Sequence, residues 1–238
     1  MSDINGILVV DKPSGWTSHD VVKKTKFLLG GLKVGHTGTL DPFATGVLVL
    51  LIGKATKLAQ YFEKDDKTYQ AEITFGYSTD TYDISGEITA KGNPDKLDSE
   101  NLMAAIKSFE GESEQIPPMY SSVKVKGKRL YQLARAGEIV ERKSRKITIY
   151  SIEIVHIDFP IITLSIACSK GTYIRSIANQ IGDMVYCPAH LSALRRTASG
   201  KYTLKDAACF LSLVNSTNRS EIEHLIIPIE KLPYYENI

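Results

Sequence analysis

The chain has 238 residues, 43% of them hydrophobic, and a formal net charge of +2 at neutral pH. A chain of that size can bury a substantial core, and so even a balance carries no bulk-charge signature of a nucleic-acid binder, which leaves the distribution of charge as the informative quantity. Three cysteines without a C-x-x-C pair, no basic leader and no apolar run of bilayer length point to a soluble protein of the reducing cytoplasm, with no disulfide framework and no membrane span.

Residues 6–11, GILVVD, read as a short buried strand ending at the turn Lys12-Pro13-Ser14-Gly15. Thr17 with Asp20 three residues on resembles a capping box, so a helix is expected to follow until Gly30-Gly31. The loop GHTGTLDPFATGVL at 35–48 packs three glycines, one histidine and one carboxylate ahead of a buried strand near 47–52 and a short helix near 54–62. Glycine at this density lets backbone approach a ligand closely or take positive φ. In TYQAEITFG at 68–76, Tyr69, Ala71, Ile73 and Phe75 share one face, which puts Tyr69 on the apolar side of a strand.

TDTYDISGE reads as a hairpin joining that strand to another near 87–90. A helix from about 99 to 110 closes at Gly111, and the segment 116–146 is rich in Pro, Tyr, Lys and Arg, with a helical piece around 128–136. Strands near 147–158 and 161–169 flank Pro160, and Thr172-Tyr173 opens a helix to about 185. Strands and helices mix without strict βαβ alternation, so the fold expected is α+β with a large, mostly antiparallel sheet flanked by helices.

Nucleotide and metal motifs fail. Gly53-Lys54 is followed by Ala55 and preceded by Leu48 where a phosphate loop needs glycine, and GHTGTLD does not fit G-x-G-x-x-G. In DTYDISGE the third loop position is Tyr82, which cannot ligate calcium. His19, His36, His156, His190 and His224 show no ligand spacing, so no metal is expected.

Four features keep two readings each. Asp41 is either a turn residue before Pro42 or a catalytic carboxylate. Between 120 and 146, Lys124, Lys126, Lys128, Arg129, Arg135, Arg142, Lys143, Arg145 and Lys146 face only Glu138 and Glu141, with Tyr120 and Tyr131 interleaved. That is a solvated loop or, the reading favoured by such a concentration, a phosphate-contacting segment. Arg175, near the start of an apolar helix, either pairs at the surface with an acid such as Asp183 or points inward as the partner that keeps Asp41 ionised and aimed. LSALRRT at 191–197 is either a helix end or the edge of a pocket with phosphate-binding arginines.

Together these segments resemble the bacterial tRNA pseudouridine(55) synthases. The matching text is KPSGWTS at 12–18, GHTGTLDPFATGVL at 35–48 with GKATK at 53–57, DKTYQAEITFG at 66–76, PPMYSSVKVKGKRLYQLARAG at 117–137, GTYIRSIA at 171–178 and HLSALRRTASGKY at 190–202, in register over roughly residues 4–232. The resemblance implies an isomerase that takes a uridine of the tRNA TΨC loop, breaks its N-glycosidic bond, turns the uracil and rejoins it through C5. It implies no cofactor and no metal, and tRNA as partner; the oligomeric state expected is a monomer.

It makes Asp41 the nucleophile, at uracil C6 or ribose C1′, and Arg175 its salt-bridge partner. Tyr69 stacks on the uracil and helps remove the C5 proton, His36 packs against the remodelled RNA, Tyr173 and Leu194 border the base, and Lys12 with Pro13 supports the floor. The basic segment at about 116–146 is the insertion that closes over the tRNA. The whole of 1–238 then reads as one catalytic domain without the usual small C-terminal RNA-binding domain. The sequence departs from the family pattern at Gln180, where Asp is typical, and at Tyr186 and Pro188, where glycines are typical. Guide-RNA-dependent relatives, a non-catalytic RNA-binding module and a nucleoside hydrolase are the competing readings.

Overall fold

The protein is described by a computed structural model covering residues 4–125, 127–216 and 219–237. It forms two compact units, residues 1–69 with 194–238 and residues 70–193. Each is α+β, with mostly antiparallel strands and helices packed beside them.

In the first unit the strand Gly6–Lys12 pairs antiparallel with Thr45–Ile52 along its full length, Gly6 opposite Ile52 and Lys12 opposite Gly46. Both read as unbroken aliphatic runs because both are buried on two faces. Val34–His36 pairs with the far end of the second strand, and Arg195-Arg196 run parallel to Thr45-Gly46. A core of Ile7, Val9, Val47, Val49 and Leu51 is sealed by Leu58 and Phe62 from the short helical segment Gly53–Phe62, and by Tyr202.

The helix Ser18–Leu28 carries the expected capping box between Thr17 and Asp20. It ends where Gly30 and Gly31 donate their N–H groups to Phe27 O (3.1 Å) and Lys26 O (2.9 Å), satisfying carbonyls the last turn leaves open. Gly46 has a positive φ of 103° and a Cβ there would lie 2.2 Å from Arg196 O, so the parallel pairing requires glycine.

In the second unit the strand order runs from Lys67–Phe75, whose residues from Gln70 on belong here, through Ile161–Cys168 and Arg145–Asp158 to Gly111–Gln115. The first of these alternates buried and accessible residues, with Tyr69, Ala71, Ile73 and Phe75 inward, as its sequence requires. After Gly76 the hairpin Tyr77–Thr79 and Ile88–Lys91 forms a separate two-stranded sheet. Helix Ser99–Lys107 is shorter than its sequence suggests and packs on helix Ile174–Met184.

The strand Gly111–Gln115 lies outside the sequence expectation, because four of its five residues are exposed and no alternation marks it. The helix-end reading of 191–197 is wrong: these residues belong to the strand Ala189–Ser199. Arginines inside a strand look like a helix terminus only when their buried partners are unknown.

Helix Ile174–Met184 ends in the same way as the first helix, with Tyr186 N–H donating to Asp183 O (3.2 Å) and Cys187 N–H to Gly182 O (3.0 Å). The residue in the left-handed position is Tyr186, at φ 54° and 96% exposed. A side chain there costs about 1–2 kcal/mol, part of which is returned because glycine loosens the unfolded chain. Tyr186→Gly is expected to raise unfolding stability by about 0.5–1 kcal/mol in urea titrations. Unchanged or lower stability would mean that the exposed ring supplies a contact of its own.

Candidate active site

Lys12, His36, Asp41, Tyr69 and Leu194 lie in the first unit, Tyr173 and Arg175 in the second. Half-buried Asp41 sits in a loop gripped on both sides. On the N-terminal side, the buried Ser18 hydroxyl accepts from Leu40 N–H (2.9 Å) and donates to Leu40 O (3.2 Å). On the other side Pro42 O accepts from Gly15 N–H (2.9 Å) and from the Lys12 ammonium (3.2 Å), which also donates to Pro13 O (2.8 Å) and Trp16 O (2.6 Å). The helix start and the KPSGW turn therefore fix the backbone around the carboxylate.

Lys12 is fully buried. Burial pulls its ammonium down to about 8, the Asp41 carboxylate opposes that fall, and the Arg196 guanidinium adds to it. Three carbonyls use all three of its N–H donors, which is how a buried cation avoids an unsatisfied donor.

Arg196 is 2% exposed. Its Nε donates to Val47 O (2.7 Å) and its Nη2 to Gly38 O (3.1 Å), tying the glycine loop to the strand behind it. His36 Nδ1 accepts from Gly38 N–H (3.3 Å). Burial, then Arg196, then His19 hold the His36 imidazole below the usual 6.5, so it is neutral at physiological pH. The expectation of phosphate-binding arginines at 191–197 fails for Arg196, whose donors are turned to backbone carbonyls. Arg195, on the opposite side of the strand, pairs with Asp11 (2.6 Å) and reaches Thr45 Oγ1 (3.3 Å).

Tyr69 is 9% exposed and Leu194 8%, both within their strands. Lys67, on the same face as Tyr69, is 6% exposed and donates to the carbonyls of Glu63 (3.2 Å) and Asp65.

In the second unit Arg175 does turn inward, and Asp183 is not its partner. Arg175 is 5% exposed, with Nη1 3.0 Å from Asp83 Oδ2 and Nη2 donating to Tyr120 O (2.7 Å). Asp83 is 2% exposed, and its Oδ1 accepts from Thr81 Oγ1 (2.9 Å), Ser85 N–H (3.0 Å) and the Ser85 hydroxyl. Its loop is pinned by Ile84 N–H to Leu191 O (3.0 Å) and Leu191 N–H to Tyr82 O (3.0 Å). Tyr173 precedes the helix, its N–H and carbonyl both bonded to the buried Gln115 side chain (2.8 and 3.1 Å). The guanidinium groups of Arg145 and Arg175 lie 4.5 and 5.7 Å from its ring centre.

Asp83 and Gln115 are the residues that sequence reasoning missed. For Asp83 a signal existed: Asp followed two residues later by Ser is an Asx-turn pattern, and a buried arginine demands a carboxylate somewhere. For Gln115 none existed.

Of the basic segment, Lys124, Lys128 and Arg129 are exposed on the small hairpin Lys124–Val125 and Lys128–Arg129, while Lys126 lies outside the described residues. Arg135 stands 5.8 Å from the Tyr131 ring centre, and Lys143 and Lys146 are exposed. Arg142 and Arg145 instead donate to the carbonyls of Pro117 (3.0 Å) and Gly171. Among the described residues no group of three His, Cys, Asp or Glu is placed to hold a metal ion.

Residues 24–174 match the family model described as TruB family pseudouridylate synthase, N-terminal domain, and residues 175–232 match the tRNA pseudouridylate synthase B C-terminal domain. The tRNA pseudouridine synthase B of Clostridium kluyveri is 47% identical over 97% of this chain and 78% of its own length. That of Bacillus subtilis is 45% identical over 96% and 76%. Among solved structures, a Cbf5-Nop10-Gar1 complex matches 95% of this chain with a TM-score of 0.73 and 30% identity, and this chain spans 60% of that one. A fold and a carboxylate loop of this kind define an RNA-uridine isomerase of the pseudouridine synthase class. With matches of that extent, the chain belongs to the TruB family of pseudouridylate synthases.

Asp83→Ala removes the carboxylate from a buried pair, and is expected to lower unfolding stability by about 3 kcal/mol in urea titrations. Asp83→Asn, which keeps an acceptor for Ser85, should lose less; a change within about 0.5 kcal/mol for Ala would make the pair energetically idle. For His36 the folded value lies below the unfolded one, so acidification protonates the unfolded chain first and withdraws stability as pH falls below 6.5. NMR titration of the His36 ring should give a midpoint below 6.5, and a midpoint at or above it would contradict the burial argument.

Proposed function

We propose that the protein converts one uridine of the TΨC loop of tRNA into pseudouridine, acting in the cytoplasm as a monomer, with Asp41 as the nucleophile. The observation that supports this most is the doubly gripped Asp41 loop, in a chain of the TruB family. The reaction is internal: the N1–C1′ bond breaks, the uracil turns, a C5–C1′ bond forms, C5 gives up its proton, and N1 ends protonated. Nothing else enters, so one ionised carboxylate suffices, adding to C6 or to C1′ and leaving unchanged.

In this reading Arg175 keeps the Asp41 carboxylate ionised, and Tyr69 stacks on the uracil and assists loss of the C5 proton. Tyr173 and Leu194 border the base, Lys12 supports the floor, and His36, uncharged and beside the glycine loop, fills space that the extruded base vacates. Flipping the uridine out of a folded loop costs a few kcal/mol of stacking. The exposed Lys124, Lys128 and Arg129 offer phosphate contacts that offset part of that cost.

The purified chain alone should release tritium from [5-³H]uridine-labelled tRNA without liberating free uracil. Asp41→Ala should bind tRNA nearly as tightly but turn over at least about a thousandfold more slowly, since a nucleophile acts chiefly at the transition state. Residual turnover within tenfold of the parent removes Asp41 from that role, and free uracil as product would make the protein a hydrolase.

A further inference from the structure

A groove of about 530 Å³ on the first unit is lined by Gly15, Trp16, Asp20, Lys23, Lys24 and Phe27. None of these side chains has a part in the reaction described above, yet the groove adjoins the Asp41 loop, because Gly15 N–H donates to Pro42 O at 2.9 Å. Its walls are aromatic. Phe27 is 77% exposed in the last turn of the helix, where Leu28 is half-buried and the capping Leu29 fully buried. Trp16 is held edge-on against the buried Phe210 ring, with centroids 5.2 Å apart, so its orientation is set before any ligand arrives.

The charge in the groove is biased toward cations. The one acid, Asp20, is occupied at the helix start, where its carboxylate accepts from Thr17 N–H (3.1 Å) and Thr17 Oγ1 (2.6 Å). The Thr17 hydrogen bonds chiefly, and Lys23 to a lesser extent, hold the Asp20 carboxyl below its usual value. Neither Lys23 nor Lys24 forms a salt bridge among the described residues, and the Lys24 ammonium stands 5.5 Å from the Phe27 ring centre. Aromatic faces with cations beside them, in a groove continuous with the loop of a nucleophile, complement a base and its phosphate. An apolar peptide would leave the lysines unmatched, and an acidic one would leave the rings bare.

We propose that this groove is a subsite for an unpaired nucleotide flanking the target uridine, its base lying against Trp16 and Phe27 and its phosphate meeting Lys23 and Lys24. The inference rests on the isomerase reading, since it takes the RNA whose uridine reaches Asp41. It also gives the outward phenyl ring a role that packing does not.

The test uses full-length protein and a T-arm stem-loop RNA labelled with [5-³H]uridine. Parent activity is measured first: no tritium release from parent protein overturns the isomerase reading itself. With the parent active, Phe27→Ala should raise Kd about tenfold, the loss expected for one base–aromatic stack, with kcat unchanged under saturating RNA. The double variant Lys23→Ala with Lys24→Ala should lower the slope of log Kd against log salt by about one. An RNA in which the flanking nucleotide is abasic should bind parent and Phe27→Ala equally. Parent-like affinity of Phe27→Ala for the intact RNA overturns the proposal and leaves the groove to a protein partner. An equal weakening toward intact and abasic RNAs at every flanking position overturns it as well, because the loss would then not be one of stacking.

Discussion

A single buried ammonium, that of Lys12, ties the loop around Asp41 to the turn that precedes the first helix. Its three N–H donors go to the carbonyls of Pro13, Trp16 and Pro42, which fold the KPSGW turn back over the residue that follows Asp41. A cation removed from water is tolerated only where every donor is met, so the turn has one arrangement rather than several. The Asp41 carboxylate sustains the Lys12 charge while burial erodes it. The backbone turn and the Asp41 carboxylate are thus both tied to the same ammonium.

Arg196 and Arg175 repeat the device in different settings. Arg196 directs its donors at Val47 O and Gly38 O, so the glycine loop hangs from the strand through a guanidinium fork. Arg175 divides its donors between the Asp83 carboxylate and Tyr120 O, joining the hairpin loop and the basic segment to one helix. Glycine-rich backbone is soft, and loops of this composition would sample many conformers unless rigid donors selected one. Replacing such donors by lysine would lose the fork geometry even where the charge survived.

Much of the frame was legible from residue order. The aliphatic runs at 6–11 and 47–52, the alternation at 68–76, the Thr17–Asp20 cap and the helix opening at Tyr173 each carry a local pattern, and each stands in the structure. What stayed hidden has no local signature. The edge strand Gly111–Gln115 is defined by its partner Arg145–Ile149, and the strand character of 189–199 by its pairing and by buried arginine donors. Tyr186 breaks a local rule outright, holding a left-handed helix end where glycine would be expected.

The candidate site divides in the same way. Sequence alone singled out Asp41, Tyr69 and Arg175 by motif, and composition alone marked 120–146 as cationic, because residue type and spacing are properties of the chain. Tertiary structure decided which donors meet which acceptors: that Arg175 pairs with Asp83 and not Asp183, that Arg196 serves carbonyls and not phosphates, and that Lys12 closes over Pro42. Side chains with identical charge and propensity differ only in what burial leaves within 3 Å of them, and that distance is fixed by packing between residues far apart in the chain.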